Sequence, residues 1–399
     1  MAKLGKNTKK TSKGQALLLL LCMTLLGVFP LDVILPSFPA LSAHFQTPPS
    51  DISLSISIFA VGVAISQLFL GPLSDRIGRK SLLQAGLILS IIGATGCTLT
   101  SNFTTFVFFR MLQALGCGCF VLTHALVQDI FTRSDRDRIR VIMTSASGLF
   151  ISISPLIGVL LQETMGWTSS FYFFSLIAVW LILQAHIVLA AEPSPPLGKA
   201  PFLTCYSEIA SNGKFLGFSL IAAIAFTCHF SFIAISPVIF LKHFQLSQIE
   251  FGFTLLSYGA AYVAGGLIAT RLQKAISQHA QITTGVSLIG ISGIALLLFT
   301  VWTPPQVATI LLSMIICTTG TTIARPVATS CAMEFFPQTS GAAASALNTI
   351  IFLVGGLGSA AVAAIESNFQ TLLGVTFIGS CGIGLAIIKY IHRGSPNST

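Results

Sequence analysis

The sequence predicts an all-α membrane protein of twelve transmembrane helices, arranged as two pseudo-symmetric six-helix bundles. Three observations carry this: a composition too poor in charge for a water-facing surface, apolar runs of spanning length, and a chain that repeats its own plan after a polar interruption. Of 399 residues, 53% are hydrophobic and 8% charged, against roughly 25% charged in a soluble domain. Thirty-one phenylalanines stand against 12 acidic residues. That leaves too little polar material to cover a soluble fold of this size, whereas a lipid-facing surface needs none. The same figures exclude a disordered chain.

A helix crosses the hydrocarbon core in about 20 residues and satisfies its own backbone there. Residues 1–14 read as a basic tail bearing Lys3, Lys6, Lys9, Lys10 and Lys13. With the apolar run behind it, this tail imitates a secretory signal, but eleven further runs make that run an uncleaved first helix. The first bundle, 15–191, holds spans at 15–38, 51–72, 82–100, 103–128, 140–162 and 168–191. Residues 192–214 gather Glu192-Pro193-Ser194-Pro195-Pro196 and end at Lys214, the pattern of a linker. The second bundle, 215–391, holds spans at 215–241, 248–270, 281–301, 305–327, 340–364 and 370–391, and 392–399 form a tail.

Charge between the runs gives their direction. Arg76, Arg79 and Lys80 follow span 2, Arg133, Arg136, Arg138 and Arg140 follow span 4, Arg271 and Lys274 follow span 8, and Lys389 and Arg393 close the chain. All fall on the same face as the basic tail, while the opposite loops hold Lys242 beside Asp51, Glu163, Glu250 and Glu366. Positive loops stay in the cytoplasm, so both termini are expected there. The net charge of +9 is accounted for by this topology. Its basic residues are scattered between apolar runs, not clustered on a solvated face, so nucleic acid is not an expected partner. Nine cysteines occur without a CxxC pair, mostly inside apolar runs, which reads as small packing residues and predicts no metal site.

The two halves echo one another. Gly71 to Lys80 and Gly265 to Lys274 lie 194 residues apart, each between the second and third span of its half, and share Gly, Leu and Lys. The triplet His44-Phe45-Gln46 before span 2 recurs as His243-Phe244-Gln245 before span 8. Such parallel repeats imply two bundles related by an axis along the membrane normal, with a site between them near mid-membrane.

Gly71-Pro72-Leu73-Ser74-Asp75-Arg76-Ile77-Gly78-Arg79-Lys80 resembles the loop signature G-x-L-x-D-R-x-G-R-K of the major facilitator superfamily at every specified position. Span 4 adds Arg110-Met111-Leu112-Gln113-Ala114-Leu115-Gly116, similar to that family's R-x-x-Q-G-x-G with Ala114 at the first glycine. Span 5 adds Pro155-Leu156-Ile157-Gly158-Val159, similar to the antiporter motif P-x-x-G-G with Val159 at its second glycine. Asp32-Val33-Ile34-Leu35-Pro36-Ser37-Phe38-Pro39 resembles the D-x-x-L-P-x-x-P of Bcr/CflA-type drug:proton antiporters. The resemblance implies a secondary transporter of the bacterial inner membrane that expels lipophilic drugs against an inward flow of protons, a multidrug efflux and resistance function. It also implies that the acid matching Asp75 caps helix 11 and that Arg79 pairs with Asp129, so that Gly71, Asp75, Arg76, Gly78, Arg79, Lys80 and Asp129 form a gate. A positive-inside anchor is the competing reading of this loop.

Charges inside the spans are few, and an ionisable group there is a functional candidate by default. Asp32 and Arg110 each lie about seven residues from the outer end of their spans, roughly 10 Å below the boundary, so the two are expected to meet. A carboxyl in such a site keeps or releases its proton according to whether water, a cation or lipid faces it, so alternation of partners can load and unload a proton. Asp32 with Arg110 is therefore the expected proton-coupling pair, a static pair ordering helices 1 and 4 being the alternative. On span 4, Arg110, Gln113, Cys117, His124 and Gln128 share a stripe about 60° wide, from which Gln113 and His124 are expected to face a substrate cavity. His229 and Ser236 on span 7 join them. Pro155 and Gly158 are expected to kink span 5 or pack it closely against the opposite half. Arg325 reads as snorkelling or pairing with Glu334.

No HExxH, GxSxG, HxxxD or Walker-type loop occurs in the sequence, so neither a catalytic set, a cofactor nor direct use of ATP is expected, and the chain is not expected to be an enzyme. The expected partners are a small-molecule substrate, protons and membrane lipids. One chain carries a complete pathway, which predicts function as a monomer. A dedicated exporter or importer of one metabolite, such as a siderophore or amino-acid derivative, is the alternative function.

Overall fold

The computed structural model describes residues 13–189, 202–302, 304–336, 339–364 and 368–393. Fifteen α-helices follow in order: α1 (Lys13–Asp32), α2 (Phe38–Phe45), α3 (Pro49–Ile77), α4 (Arg79–Leu99), α5 (Phe103–Cys117), α6 (Leu122–Ile130), α7 (Arg133–Met165), α8 (Ser169–Val188), α9 (Phe202–Ser211), α10 (Gly213–Pro237), α11 (Gln248–Ala275), α12 (Gln278–Trp302), α13 (Val307–Glu334), α14 (Ser340–Ala363) and α15 (Phe369–Arg393). All regular structure among the described residues is helical. Eleven segments are long and apolar enough to cross a membrane, and Leu149–Met165 within α7 supplies a shorter apolar twelfth.

Three expected spans are interrupted, each for a local reason. Span 1 breaks after Asp32, passes through a 3-10 turn at Leu35–Ser37 and resumes as α2. Pro36 has no N–H to give to the Asp32 carbonyl, so the α-helical ladder cannot continue there. Span 4 breaks after Cys117 into a 3-10 turn at Gly118–Val121. There the Ser66 hydroxyl of α3 takes the Leu115 carbonyl at 2.5 Å, an insertion of the kind that bends helices. Span 7 ends in a π turn at Val238–His243 just after Pro237. The segment expected to be linker contains α9, whose Tyr206 hydroxyl donates to the Leu68 carbonyl of α3 at 2.9 Å. The prolines at 193–196 mask the helix-forming run that follows them.

The repeat is visible in the backbone. Gln46 and Gln245, which end the two His-Phe-Gln triplets, both adopt left-handed conformations, with φ of 51° and 53°. His44 packs on Trp167, centroids 5.1 Å apart, and His243 on Phe369 at 4.6 Å, so each half ties its first connector to its last. Helices α4 and α5 cross at Gly86 and Gly116, and α12 and α13 cross at Gly285 and Gly320. A Cβ on Gly116 would sit 2.5 Å from the Gly86 carbonyl oxygen, and one on Gly320 2.5 Å from that of Gly285. Without a hydrophobic drive between helices in lipid, such backbone approach is what holds neighbours together.

The halves meet along two seams. On the first, α3 against α14, the hydroxyls of Ser57 and Ser359 bond at 2.6 Å, and the Thr349 hydroxyl donates to the Ala64 carbonyl at 3.3 Å. On the second, Gly252 near the start of α11 receives Leu156 and Val159 of α7 at 3.0 and 3.1 Å from where its Cβ would be. Ser57, Ser359, Gly252 and Val159 all lie toward the end of the bundle opposite the basic loops.

Candidate functional site

Asp32 is the last residue of α1 and only 8% exposed. Its carboxyl faces the interior and lies within electrostatic reach of the Tyr258 hydroxyl on α11, in the other half. Tyr258, itself 2% exposed, shares a hydrogen bond with His229 Nδ1 on α10, and the two rings stack with centroids 5.3 Å apart. Thr318 of α13 adjoins the same hydroxyl. The polar centre therefore spans both halves, with an acid on one and a tyrosine–histidine pair on the other.

Arg110 does not join it. Its guanidinium donates from Nη1 to Gln113 Oε1 at 2.8 Å and from Nη2 to the Pro30 carbonyl at 3.2 Å. Its Cζ lies 4.2 Å from the centroid of Phe59 and 5.8 Å from that of Phe171. Among the described residues no ion pair links Arg110 to Asp32, contrary to the expectation that they meet. The reason is rotational: Pro30, Val33 and Ile34 line the pocket beside Arg110, and Asp32, about 100° from Val33 on the helix, leaves from another face. That pocket, shared with Ser170 and Phe174, holds about 10 Å³, far below the 300–1,000 Å³ or so of a ligand site. Gln113, 1% exposed, serves Arg110 here and does not line an open cavity. Ser236 is fully buried, with its hydroxyl given to the Ile233 carbonyl of its own helix at 2.9 Å.

Gly158 is close-packed, but against its own half. A Cβ there would collide with the Val33 carbonyl and lie 3.2 Å from Pro36 Cδ. The residue facing the opposite half is Val159, which stands where the motif has its second glycine, and Gly252 supplies the space that Val159 occupies. Pro155 is buried one turn earlier within α7. Helix α7 thus presses on the break in helix 1 immediately beyond Asp32 while touching α11 with its other face.

At the basic end, Gly78 has φ 89°, a conformation natural only to glycine, and reverses the chain between α3 and α4. Gly71 accepts the Ser74 hydroxyl on its carbonyl at 2.6 Å. Arg79 Nε lies 2.5 Å from Asp129 Oδ2, tying the start of α4 to the end of α6. Lys80 Nζ donates to the His186 carbonyl at 2.9 Å, where it complements the negative end of α8. Asp75, Arg76 and His124 fall outside the side chains described.

Sequence reasoning missed Tyr258. Its spacing from Tyr262, one turn apart on a spanning helix, was the available signal, but nothing local distinguishes a membrane tyrosine that meets a histidine from one that meets lipid.

A model of the Major Facilitator Superfamily matches residues 20–359. The chain is 26% identical to a chloramphenicol resistance protein of Pseudomonas aeruginosa over 87% of this chain and 82% of that one. It is 23% identical to a bicyclomycin resistance protein homolog of Haemophilus influenzae, covering 94% and 95%, and 27% identical to the multidrug transporter MdfA of Yersinia pestis, covering 69% and 70%. With twelve apolar helical segments and a family match over most of its length, this multi-pass membrane protein belongs to the Major Facilitator Superfamily.

Proposed function

We propose that the chain exports lipophilic small molecules, drugs among them, across a bacterial inner membrane in exchange for protons, with both termini in the cytoplasm. The observation that carries this is Asp32: a buried acid at the break of helix 1, within electrostatic reach of Tyr258 of the other half. When the halves rock, the surroundings of that carboxyl change, and with them its hold on a proton. Substrate and proton then compete for one interface, which is the coupling an antiporter needs.

The other residues take supporting parts in this reading. Arg110 fixes helix 1 through the Pro30 carbonyl and so positions Asp32 without touching it. Gly158 lets α7 bear on Val33, so movement of α7 against α11 reaches the helix-1 break directly. The Arg79–Asp129 pair and the Lys80 contact tie α4 to α6 and α8 at the cytoplasmic end and form a gate there with Gly71, Asp75, Arg76 and Gly78. Names of the relatives, which include chloramphenicol and bicyclomycin resistance, support a drug as cargo.

The test is chloramphenicol flux in proteoliposomes of the purified full-length protein, with an imposed pH gradient and with an uncoupler. Wild type is expected to move the drug only with the gradient. Asp32→Asn is expected to lose the gradient-driven component while still binding drug. Gradient-driven flux at the wild-type rate in that variant refutes the role of Asp32.

A further inference from the structure

Arg325 of α13 is a charge within a spanning helix to which the proposed transport mechanism assigns no part. It lies nine residues before the end of its helix at Glu334, about 14 Å in from that end at the usual helical rise. Its apolar run, 305–327, ends two residues beyond it, so the charge stands at the inner boundary of the hydrocarbon core, where a long side chain either snorkels to water or turns inward to a partner or a pathway. Among the described residues it has neither a hydrogen bond nor an ion pair. Glu334 is exposed two and a half turns further on, and Glu250 is held in the Ser247 cap at the far end of α11.

Nor does Arg325 reach outward to the lipid surface. Its guanidinium lies over Phe226 of α10, 4.8 Å from the ring centroid. Thr318, Thr321 and Arg325 recur at i, i+3 and i+7 on α13, and Thr321 donates to the Ala225 carbonyl of α10 at 3.1 Å, so this face looks into the bundle. Phe226 is itself backed by Phe352 of α14 at 5.3 Å, and the Arg325 charge reaches His229, one turn along α10. Arg325 as a residue is half-buried while Phe226 and His229 are buried. An aromatic face attracts a cation but accepts none of its five N–H groups in the manner of an oxygen. The fork geometry left open is the one that a carboxylate fills with two parallel hydrogen bonds.

We propose that Arg325, backed by Phe226 and Phe352, is an anion subsite of the transport pathway that takes the negatively charged group of a lipophilic aromatic substrate. This deepens the transporter reading and rests on it. Together with Asp32 it gives the pathway one acidic and one basic pole in different halves, so an aromatic acid is held from the second half while the first handles the proton. An anionic lipid headgroup has the same chemistry, and the test separates the two.

The experiment is equilibrium binding of radiolabelled naphthylacetate and its uncharged isostere naphthylacetamide to the full-length protein in phosphatidylcholine nanodiscs, repeated with one third phosphatidylglycerol. Wild type is expected to favour the acid over the amide by about tenfold, the scale of one charge-assisted contact, in both lipids. Arg325→Gln is expected to abolish the preference while binding the amide as wild type does, which also reports that it is folded, and Arg325→Lys to restore part of it. An unchanged acid-to-amide ratio in Arg325→Gln, no binding of the acid by wild type, or loss of the preference in phosphatidylglycerol overturns the subsite. Binding needs no gradient, so the subsite stands or falls separately from proton coupling: Asp32→Asn is expected to keep the acid preference even where gradient-driven flux is gone.

Discussion

The two intramembrane arginines make the instructive contrast. Arg110, 1% exposed, has a glutamine oxygen, a backbone carbonyl and two aromatic faces around it. Arg325 has one aromatic face against its guanidinium and, among the described residues, no hydrogen bond or ion pair; the residue is half-buried. Both are cations within spanning helices, yet the first is enclosed and the second is not. A charge whose partners come from its own fold holds the fold together; one whose partners do not is free to hold something that arrives. In the proposed mechanism the difference separates a positioning residue in the first half from a receptor in the second.

The contrast breaks most readily on stability. Arg110→Ala strands Gln113 and the Pro30 carbonyl in a sealed pocket and is expected to cost about 3 kcal/mol; Arg325→Ala is expected to cost under about 1 kcal/mol. Thermal unfolding of the two variants in detergent gives the comparison, and equal losses would make Arg325 a structural residue like Arg110. Next in size is Gly158→Ala, whose methyl meets the Val33 carbonyl. It is expected to destabilise by about 1–3 kcal/mol through overpacking and to slow gradient-driven flux, whereas Gly266→Ala, with open space around its Cβ, is expected to do neither.

Smaller effects sharpen the same division between internal ties and open groups. Ser57→Ala removes a single bond across the seam between α3 and α14 and is expected to shift the opening equilibrium of that end by about 1 kcal/mol. The rate at which a cysteine placed at Val61 reacts with a membrane-impermeant maleimide reads this out. The smallest is Arg79→Gln. Its pair with Asp129 is partly exposed, at 19% and 41% for the two side chains, and such pairs contribute about 0–1 kcal/mol. Stability is expected to be nearly unchanged, with any effect confined to flux and relieved by the charge swap Arg79→Asp with Asp129→Arg.

What was legible in advance followed from local signals. The spans were readable because apolar runs of membrane length have one viable structure, and Gly78 because the loop needs a residue tolerant of positive φ. The Arg79–Asp129 contact was readable through a motif resemblance, and the His-Phe-Gln repeat because both copies keep their letters. The breaks in spans 1 and 4 were harder. Pro36 announces the first, but the second depends on Ser66, a residue 49 positions away whose hydroxyl takes a helix carbonyl. The helix α9 was hidden by the prolines that precede it.

The expected meeting of Asp32 and Arg110 rested on equal depth, and depth is only one of two coordinates on a helix. Rotation about the axis turned Arg110 toward the Pro30 carbonyl and left Asp32 out of the Arg110 pocket. The antiporter motif fared similarly: its remaining glycine serves contact within its half, and the room for its missing one is supplied by Gly252, 93 residues later in the chain.

Composition and the spacing of apolar runs and charges by themselves determined that this protein spans a membrane as twelve apolar helical segments. Each of those properties is summed along a single segment, and lipid leaves a segment no alternative. Which ionisable side chain faces which, and which is left facing none, was decided only by tertiary structure. Helices from distant parts of the chain must first be placed and turned against one another before Tyr258 finds His229, Arg110 finds the Pro30 carbonyl, and Arg325 is left with a ring and no hydrogen-bond partner among the described residues.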